Sequence, residues 1–330
     1  MNIDINLGDT TVHLWPWPIE IPVGDWIKAF FDWLEASFGA FFEVLRDILK
    51  GMFDGLDWLF TTPAAGVIIL LVGVGALLAR GWTFALGTVL GLVFIISVGQ
   101  WDNAMDTVAL VIVAALLAVL IAIPLGIWAA RNDTVSAVVK PIMDFLQTLP
   151  AFVYLVPALA LFRVGVAPGI IATMLFAIAP GVRLTELGIR GVDKEVVEAG
   201  EAFGATPGRI LRQIQIPLAM PSIMAGINQI IMLSLSMVVI AGLVGAGGLG
   251  GDVSAAIQRL DVGLGFEAGL SVVVLAIILD RFTAAFGKGM GLWSRIAKAR
   301  KTKREEAEQA RIDALELDTE ATPRTPEPVA

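Results

Sequence analysis

The chain has 330 residues, of which 57% are hydrophobic and only 16% are charged. Soluble domains are about 45–50% apolar and about 25% charged, so this composition predicts that lipid surrounds much of the chain. There is no cysteine and one histidine, His13, which excludes thiolate catalysis, disulfides and metal sites built from several His or Cys ligands. The net charge of −8 disfavours nucleic acid as a partner. We expect a multi-span membrane protein without a catalytic or metal site.

The first 62 residues form a predicted N-terminal extension. In residues 1–60 acids outnumber bases ten to three. Large apolar side chains recur there at three- and four-residue steps, at Trp26, Phe30, Leu34, Phe38, Phe41, Leu45, Ile48, Leu49 and Phe53. This spacing predicts an amphipathic helix. We favour a helix that lies in the membrane interface over a packed helix of a small soluble lobe, because no neighbouring element is expected to bury its apolar stripe.

Residues 63–290 form the predicted membrane domain, with about seven transmembrane helices of roughly 20 residues each. The expected spans are 64–79, 83–99, 107–130, 142–161, 166–184, 217–244 and 264–284. Prolines fall inside several of them, at Pro124, Pro150, Pro157, Pro180 and Pro221. Since proline removes a helical hydrogen bond that lipid cannot replace, so many prolines favour a transporter or channel over a passive anchor.

Loop charges predict the orientation of the chain. Basic residues alternate onto one side, at Arg80, the 131–140 loop, the 183–212 segment and the 295–304 run, whereas the acidic extension and the 252–261 loop fall on the other. The positive-inside rule then predicts a periplasmic N terminus and a cytoplasmic C terminus, with Arg163 and Arg259 as outnumbered exceptions on the outer side. Residues 291–330 predict a charged, partly disordered cytoplasmic tail.

A polar segment at 193–217 interrupts the apolar pattern between the fifth and sixth spans. Asp193 can cap a short helix that ends at Gly204, where glycine suits a left-handed cap. Thr206 and Pro207 are typical of the start of a second helix, which we expect to end at Pro217. A helix–glycine–helix element joined to two spans suits the transmission of force better than a plain connecting loop does.

The same segment carries a recognisable pattern. Seven of its residues, Glu198, Ala199, Gly200, Gly204, Ile214, Ile216 and Pro217, have the spacing of Glu-Ala-Ala, three residues, Gly, nine residues, Ile-x-Leu-Pro. This pattern resembles the EAA signature of ATP-binding-cassette (ABC) importer permeases, with Gly200 in place of the second alanine and Ile216 in place of leucine. The resemblance implies that these seven residues couple the chain to an ATPase.

Further segments are similar to the glycine betaine/proline permeases of that family. They are 146–157, Arg183-Leu184-Thr185, 237–241, 245–250 and Leu279-Asp280-Arg281. The resemblance implies an all-α, polytopic type I ABC importer permease fold in the inner membrane. It also implies a homodimer with a second copy of the chain, two cytoplasmic ATPase subunits that hold the ATP and Mg²⁺, and an extracytoplasmic binding protein. This chain would then bind no cofactor and would not itself be an enzyme.

The transported solute would be glycine betaine, proline or both. Pro150, Phe152, Tyr154, Gly245 and Gly247 are candidates for the pathway, since quaternary ammonium groups favour aromatic faces; simple helix packing is the other interpretation of Tyr154. Gly245-x-Gly247-x-x-Gly250 also fits a dinucleotide fingerprint, but no strand precedes it. Two alternatives stay open: the same family importing choline, carnitine or another small substrate, and a secondary transporter or channel.

Overall fold

The computed structural model describes residues 4–6, 11–13 and 21–287. Two short strands come first, β1 (Asp4–Asn6) and β2 (Thr11–His13), which pair antiparallel with Ile5 opposite Val12. Helices follow: α1 (Val23–Thr61), α2 (Ala65–Arg80), α3 (Trp82–Ser97), α4 (Trp101–Arg131), α5 (Asp133–Thr148), α6 (Leu155–Phe162), α7 (Val166–Arg190), α8 (Lys194–Ala202), α9 (Pro207–Ile210), α10 (Ile216–Ala241), α11 (Gly248–Arg259) and α12 (Val262–Gly287). The tail predicted from 291 lies outside the described residues.

The amphipathic helix expected in the N-terminal extension is α1, which has a non-helical break at Phe38. Beyond the break, Leu49 and Phe53 are buried against α4, α6 and α7. The expectation that nothing nearby could bury the stripe is therefore wrong for this half, because the membrane core itself covers it. In the first half Trp26 and Phe30 are exposed, and a position in the membrane interface stays a prediction for that half alone.

In the part of the chain that the structure describes, four helices are long and apolar enough to cross a membrane: α4, α7, α12 and the continuous helix Pro207–Val244. Two bent pairs, α1 with α2 and α5 with α6, raise the number to six if each pair counts as one span. Helix α3 has 16 residues, about 24 Å at 1.5 Å per residue, which is shorter than the roughly 30 Å hydrocarbon core. The count of seven spans stays a prediction.

The fourth expected span is not one straight helix. Helix α5 begins at Asp133, where the Asn132 side chain accepts hydrogen bonds from the backbone of Thr134 and Val135, so the expected 131–140 loop is wrong. The chain then turns by 109° between α5 and α6. Leu149 is extended at the turn because a residue before proline avoids the helical region.

The five prolines expected inside spans differ in their effect on the helices. Only Pro150 separates two helices, whereas Pro124, Pro180 and Pro221 lie inside α4, α7 and α10.

The centre of the fold is the packing of α4, α7 and α10, where small residues let backbones approach closely. A Cβ at Gly126 would lie 2.9 Å from Cγ2 of Thr185 and 2.8 Å from the carbonyl oxygen of Val182. A Cβ at Gly181 would lie 2.9 Å from Ala122. These contacts fix α7 between its neighbours, and α7 leads directly into the 193–217 segment.

The outer loop expected at 252–261 is also wrong, since α11 covers most of it. Thr107 of α4 accepts a hydrogen bond from the backbone of Leu249 at 2.9 Å, and Asn103 donates to Asp252 at 2.7 Å. These two bonds join the start of α11 to α4. The sequence favoured a loop here because glycines crowd the entrance to the helix and its polar residues interrupt the apolar pattern.

Candidate functional site

Helix α8 has the two ends that the sequence predicted. The Asp193 carboxylate accepts a hydrogen bond from the backbone of Glu195 at 3.0 Å. At the other end Gly204 has φ +76°, and the backbone amides of Gly204 and Ala205 donate to the carbonyls of Glu201 and Gly200 at 2.8 and 3.1 Å. This pair of bonds is the Schellman motif. It ends α8 at a fixed position and reverses the chain.

The second predicted helix differs from expectation at both ends. Thr206 occupies the cap position, but its side chain makes no capping hydrogen bond. Pro217 does not end the helix: α9 passes through a π-helical turn, Leu211–Gln215, straight into α10. A π turn shifts the hydrogen-bond pattern by one residue. The helix can therefore continue through a proline, which has no N–H to donate. The second helix of the segment is thus continuous with the following membrane helix.

The 193–217 segment has two arms, α8 and the helix that begins at Pro207, and they pack on each other at Gly200. A Cβ there would lie 2.8 Å from Cδ1 of Ile214 and 3.6 Å from Cγ1 of Ile210. Ile210 is buried, and Ile214 and Ile216 are half-buried. Gly200, which stands in place of the second alanine of the signature, is therefore the point of closest contact between α8 and the second arm.

The outward face of α8 is apolar and open. Phe203 is 92% exposed, and Val196 and Ala199 are exposed as well. These three residues are three and four positions apart, so they share one face of the helix. Glu198 is exposed beside them, and Pro217 is exposed on the second arm. The segment therefore presents an apolar ridge that no described residue covers.

The candidate pathway residues fall into two groups. Tyr154 is 3% exposed, its hydroxyl donates to the carbonyl of Leu146, and its ring packs edge-on against Phe176 at 6.0 Å. This geometry supports the packing interpretation of Tyr154. Phe152 is exposed, and Pro150 begins the turn that carries both aromatic residues.

Gly245 and Gly247 lie where α10 gives way to α11, with φ of +79° and +75°. A Cβ at Gly245 would lie 2.9 Å from Cγ1 of Val164, whereas one at Gly247 would meet nothing within 4 Å. Val244 belongs to the same buried cluster as Tyr154. The structure thus brings the Pro150 turn and the start of the glycine segment into one buried apolar cluster, while Gly245 itself packs against Val164. Within the described residues no group of His, Asp and Glu is placed to hold a metal ion.

Helix α10 also exposes polar side chains. Gln229 and Ser236 lie on its open face with Met232 between them. On an adjacent face, Asn228 donates to Asp280 of α12 at 3.1 Å and accepts from Thr283. Asp280 thus contacts a neighbouring helix.

The family of binding-protein-dependent transport system inner membrane components matches residues 122–292. The glycine betaine/carnitine transport permease protein GbuB of Listeria monocytogenes is 45% identical over 272 residues, which are 81% of this chain and 96% of the relative. The chain belongs to this family. The glycine betaine/proline betaine permease protein ProW of Escherichia coli is 43% identical over 268 residues, 81% of this chain and 76% of the relative.

Among solved structures, the inward-facing MetNI methionine ABC transporter superposes with a TM-score of 0.52 and 20% identity. The match covers 58% of this chain and 95% of that chain. It supports the fold: the chain has an all-α type I ABC importer permease architecture. The family expectation and the inner-membrane, multi-pass location are confirmed, and membership favours an importer subunit over a secondary transporter or channel.

The permease also contains a charged cluster that sequence reasoning missed. Along α5 and α7 three ion pairs form an antiparallel ladder: Asp133 with Arg190, Lys140 with Glu186, and Asp144 with Arg183. Glu186 is 6% exposed and also accepts from Ser136 at 2.6 Å and from Arg190 at 3.0 Å. We call this set the α5–α7 ladder. Its one local signal is the four-residue spacing of Glu186 and Arg190.

We expect Glu186→Gln to destabilise the permease by about 1–3 kcal/mol, because it leaves partly buried donors without a charged acceptor. The measurement is the unfolding temperature of the purified permease in detergent. Glu267→Gln is the matched control, since Glu267 is exposed and its carboxylate takes part in no described ion pair. Equal unfolding temperatures for the two variants would contradict a structural role for the ladder.

Proposed function

We propose that the permease forms the translocation pathway of an ATP-driven importer for a compatible solute, and that the 193–217 segment receives the motion of a separate ATPase. Two copies of the chain and two ATPase subunits complete the membrane assembly, and ATP and Mg²⁺ bind to the ATPases. A binding protein delivers the solute on the outer side.

The observation that carries this proposal is the rigid connection around Gly204. Helix α8 begins and ends at fixed caps, its apolar ridge is open, and its second arm continues without a break into α10. A soluble subunit that bound the apolar ridge of α8 in a groove could therefore move α10 through the second arm. The α5–α7 ladder holds the helix that enters the segment from the other side, so α7 would move with α5.

The open face of α10 is evidence for a second copy of the chain, or for a water-filled path, beside this helix. Polar side chains that face lipid are costly, and Gln229 and Ser236 lie on that face. A pathway between two copies would give these side chains polar surroundings.

The orientation of the chain has support from one ion pair. Arg163, the outer arginine near the fifth span, pairs with Glu43 of α1 at 3.6 Å. This pair offsets the charge of Arg163 on the outer side and supports a cytoplasmic C terminus.

Glycine betaine is the solute that the comparisons favour, because it is named for both relatives described above. Carnitine and proline betaine are also named there, and all three of these solutes carry a quaternary ammonium and a carboxylate. Proline, which the sequence also suggested, lacks the quaternary nitrogen. Phe152 supplies an exposed aromatic face of the kind that such a cation favours.

Site-directed crosslinking tests the docking. Because the chain has no cysteine, Phe203→Cys gives a single thiol on the ridge, and Ile257→Cys gives a single exposed thiol on α11. We expect the Phe203 position to crosslink to a co-expressed ATPase and to resist a membrane-impermeant maleimide in intact cells. The Ile257 position should show the reverse. Labelling of Phe203→Cys from outside the cell would overturn the coupling proposal.

Uptake into proteoliposomes tests the cargo. The assembly, reconstituted with its binding protein and ATP inside, should accumulate labelled glycine betaine, and a hundredfold excess of carnitine, choline or proline can be added as competitor. We expect no uptake without ATP. Accumulation driven by an ion gradient in the absence of ATP would contradict the ATP-driven mechanism, and stronger competition by another solute would reassign the substrate.

A further inference from the structure

We propose that a cleft between α3 and α12 binds an anionic phospholipid, with its phosphate at the rim and an acyl chain along the floor. The cleft has a volume of about 600 Å³, within the roughly 300–1,000 Å³ typical of small-molecule sites. Residues from α2, α3 and α12 line it, among them Arg80, Gly87, Thr88, Gly91, Ile277 and Arg281. Neither the transport function nor the 193–217 segment involves this site.

Two arginines make the rim cationic. Arg80 is the last residue of α2, and Arg281 lies two turns before the end of α12. Among the described residues that line the cleft there is no carboxylate. Asp280 lies 4.0 Å from Nε of Arg281, but its other oxygen accepts from Asn228 of α10. Two guanidinium groups beside an apolar cleft are suited to a phosphate, which they bind through paired N–H donors.

The floor of the cleft is apolar, and glycine shapes it. A Cβ at Gly91 would lie 2.8 Å from Cγ1 of Val274, whereas one at Gly87 would meet nothing within 4 Å. Helices α3 and α12 therefore touch at Gly91 and separate one turn away at Gly87, where Ile277 is exposed. The apolar side chains along this wedge, among them Val274 and Ile277, suit an acyl chain better than a soluble ion.

A buried hydroxyl gives an independent sign of a ligand. Thr88 is 1% exposed, it lines the cleft, and its Oγ1 has no hydrogen-bond partner among the described residues. A buried polar group without a partner costs free energy. An ester or phosphate oxygen of a lipid in the cleft would accept this hydrogen bond.

Charge in the following sequence reinforces the argument. The run from Arg295 to Arg304, which follows α12 in the chain, holds six basic residues and no acidic one. Basic pockets between membrane helices and basic runs next to them both attract anionic lipid headgroups. A neutral or zwitterionic lipid would gain little from either feature, so we assign the cleft to an anionic phospholipid.

Native mass spectrometry of the purified permease assembly tests this assignment, with phosphatidylglycerol titrated into a neutral detergent. We expect Arg80→Gln and Arg281→Gln each to weaken lipid retention about fivefold, and the double variant about 25-fold. Arg131→Gln is the control, because Arg131 is an exposed arginine at the end of α4 that lies outside the cleft. Retention by the double variant equal to that of wild type would overturn the proposal.

Gly87→Leu separates occupancy of the cleft from its charge. The new side chain has room to enter and fills the space that the acyl chain would take, so lipid retention should fall although both arginines remain. Co-elution with the ATPase and an unchanged unfolding temperature would show that the variant is folded. Equal retention of phosphatidylcholine, displacement by inorganic phosphate, or undiminished retention in Gly87→Leu would each contradict an anionic lipid site.

Discussion

Replacing Gly204 with valine should reduce ATP-driven uptake about tenfold or more while the permease still reaches the membrane. Gly204 has φ +76°, and the left-handed conformation costs an L-residue about 1–2 kcal/mol, with a β-branched residue at greater cost. Since about 1.4 kcal/mol is a factor of ten in an equilibrium constant, the valine shifts the equilibrium at the end of α8 about tenfold or more away from the Schellman bonds. The apolar ridge would then no longer face the ATPase at a fixed angle.

Gly204→Asn is the matched control, because asparagine tolerates the left-handed region far better than valine does. A Cβ at this position meets nothing within 4 Å, so any difference between the two variants reports backbone conformation rather than crowding. The readouts are solute uptake, ATP hydrolysis stimulated by the binding protein, and co-purification of the ATPase. Full uptake by Gly204→Val would show that the turn is not required for coupling.

The parts of the fold that follow from neighbouring residues could be predicted from the sequence. Asp193 caps α8 and Gly204 ends it because capping and left-handed turns depend on a few adjacent residues. The long apolar helices could be located for the same reason. The first helix of the 193–217 segment was therefore predicted with its two ends, whereas Pro217 proved compatible with a continuous helix because a π turn precedes it.

Tertiary features could not be predicted in this way. Helix α5 begins nine residues before the expected fourth span, because Asn132 caps it and an amphipathic first half packs its charges against α7. The partners Asp133 and Arg190 are 57 positions apart, so no local pattern connects them. Helix α11 was not predicted, because the glycines at its start are typical of a turn. The helix is stabilised by a hydrogen bond from Leu249 to Thr107 of α4, which the sequence does not show.

Gly250→Ala should disrupt the permease itself. A Cβ at Gly250 would overlap the carbonyl oxygen of Val238, and it would lie 2.9 Å from the carbon of that carbonyl and 3.0 Å from Cα of Val239. These are backbone atoms of α10, so no rotamer change can relieve the contact. Gly242 makes the reciprocal approach from α10 to the backbone of Gly250. One methyl group must therefore separate α10 from α11, and we expect a loss of about 3 kcal/mol of stability.

Gly251→Ala gives the sharpest control, because the next glycine in the same helix meets nothing within 4 Å. Alanine there should leave the unfolding temperature unchanged or raise it, since glycine inside a helix costs about 1 kcal/mol relative to alanine. The measurement is the yield of monodisperse protein and its unfolding temperature in detergent. If the two adjacent variants behaved alike, the glycine-rich segment would serve flexibility, and the close α10–α11 contact would not explain why glycine is present at 250.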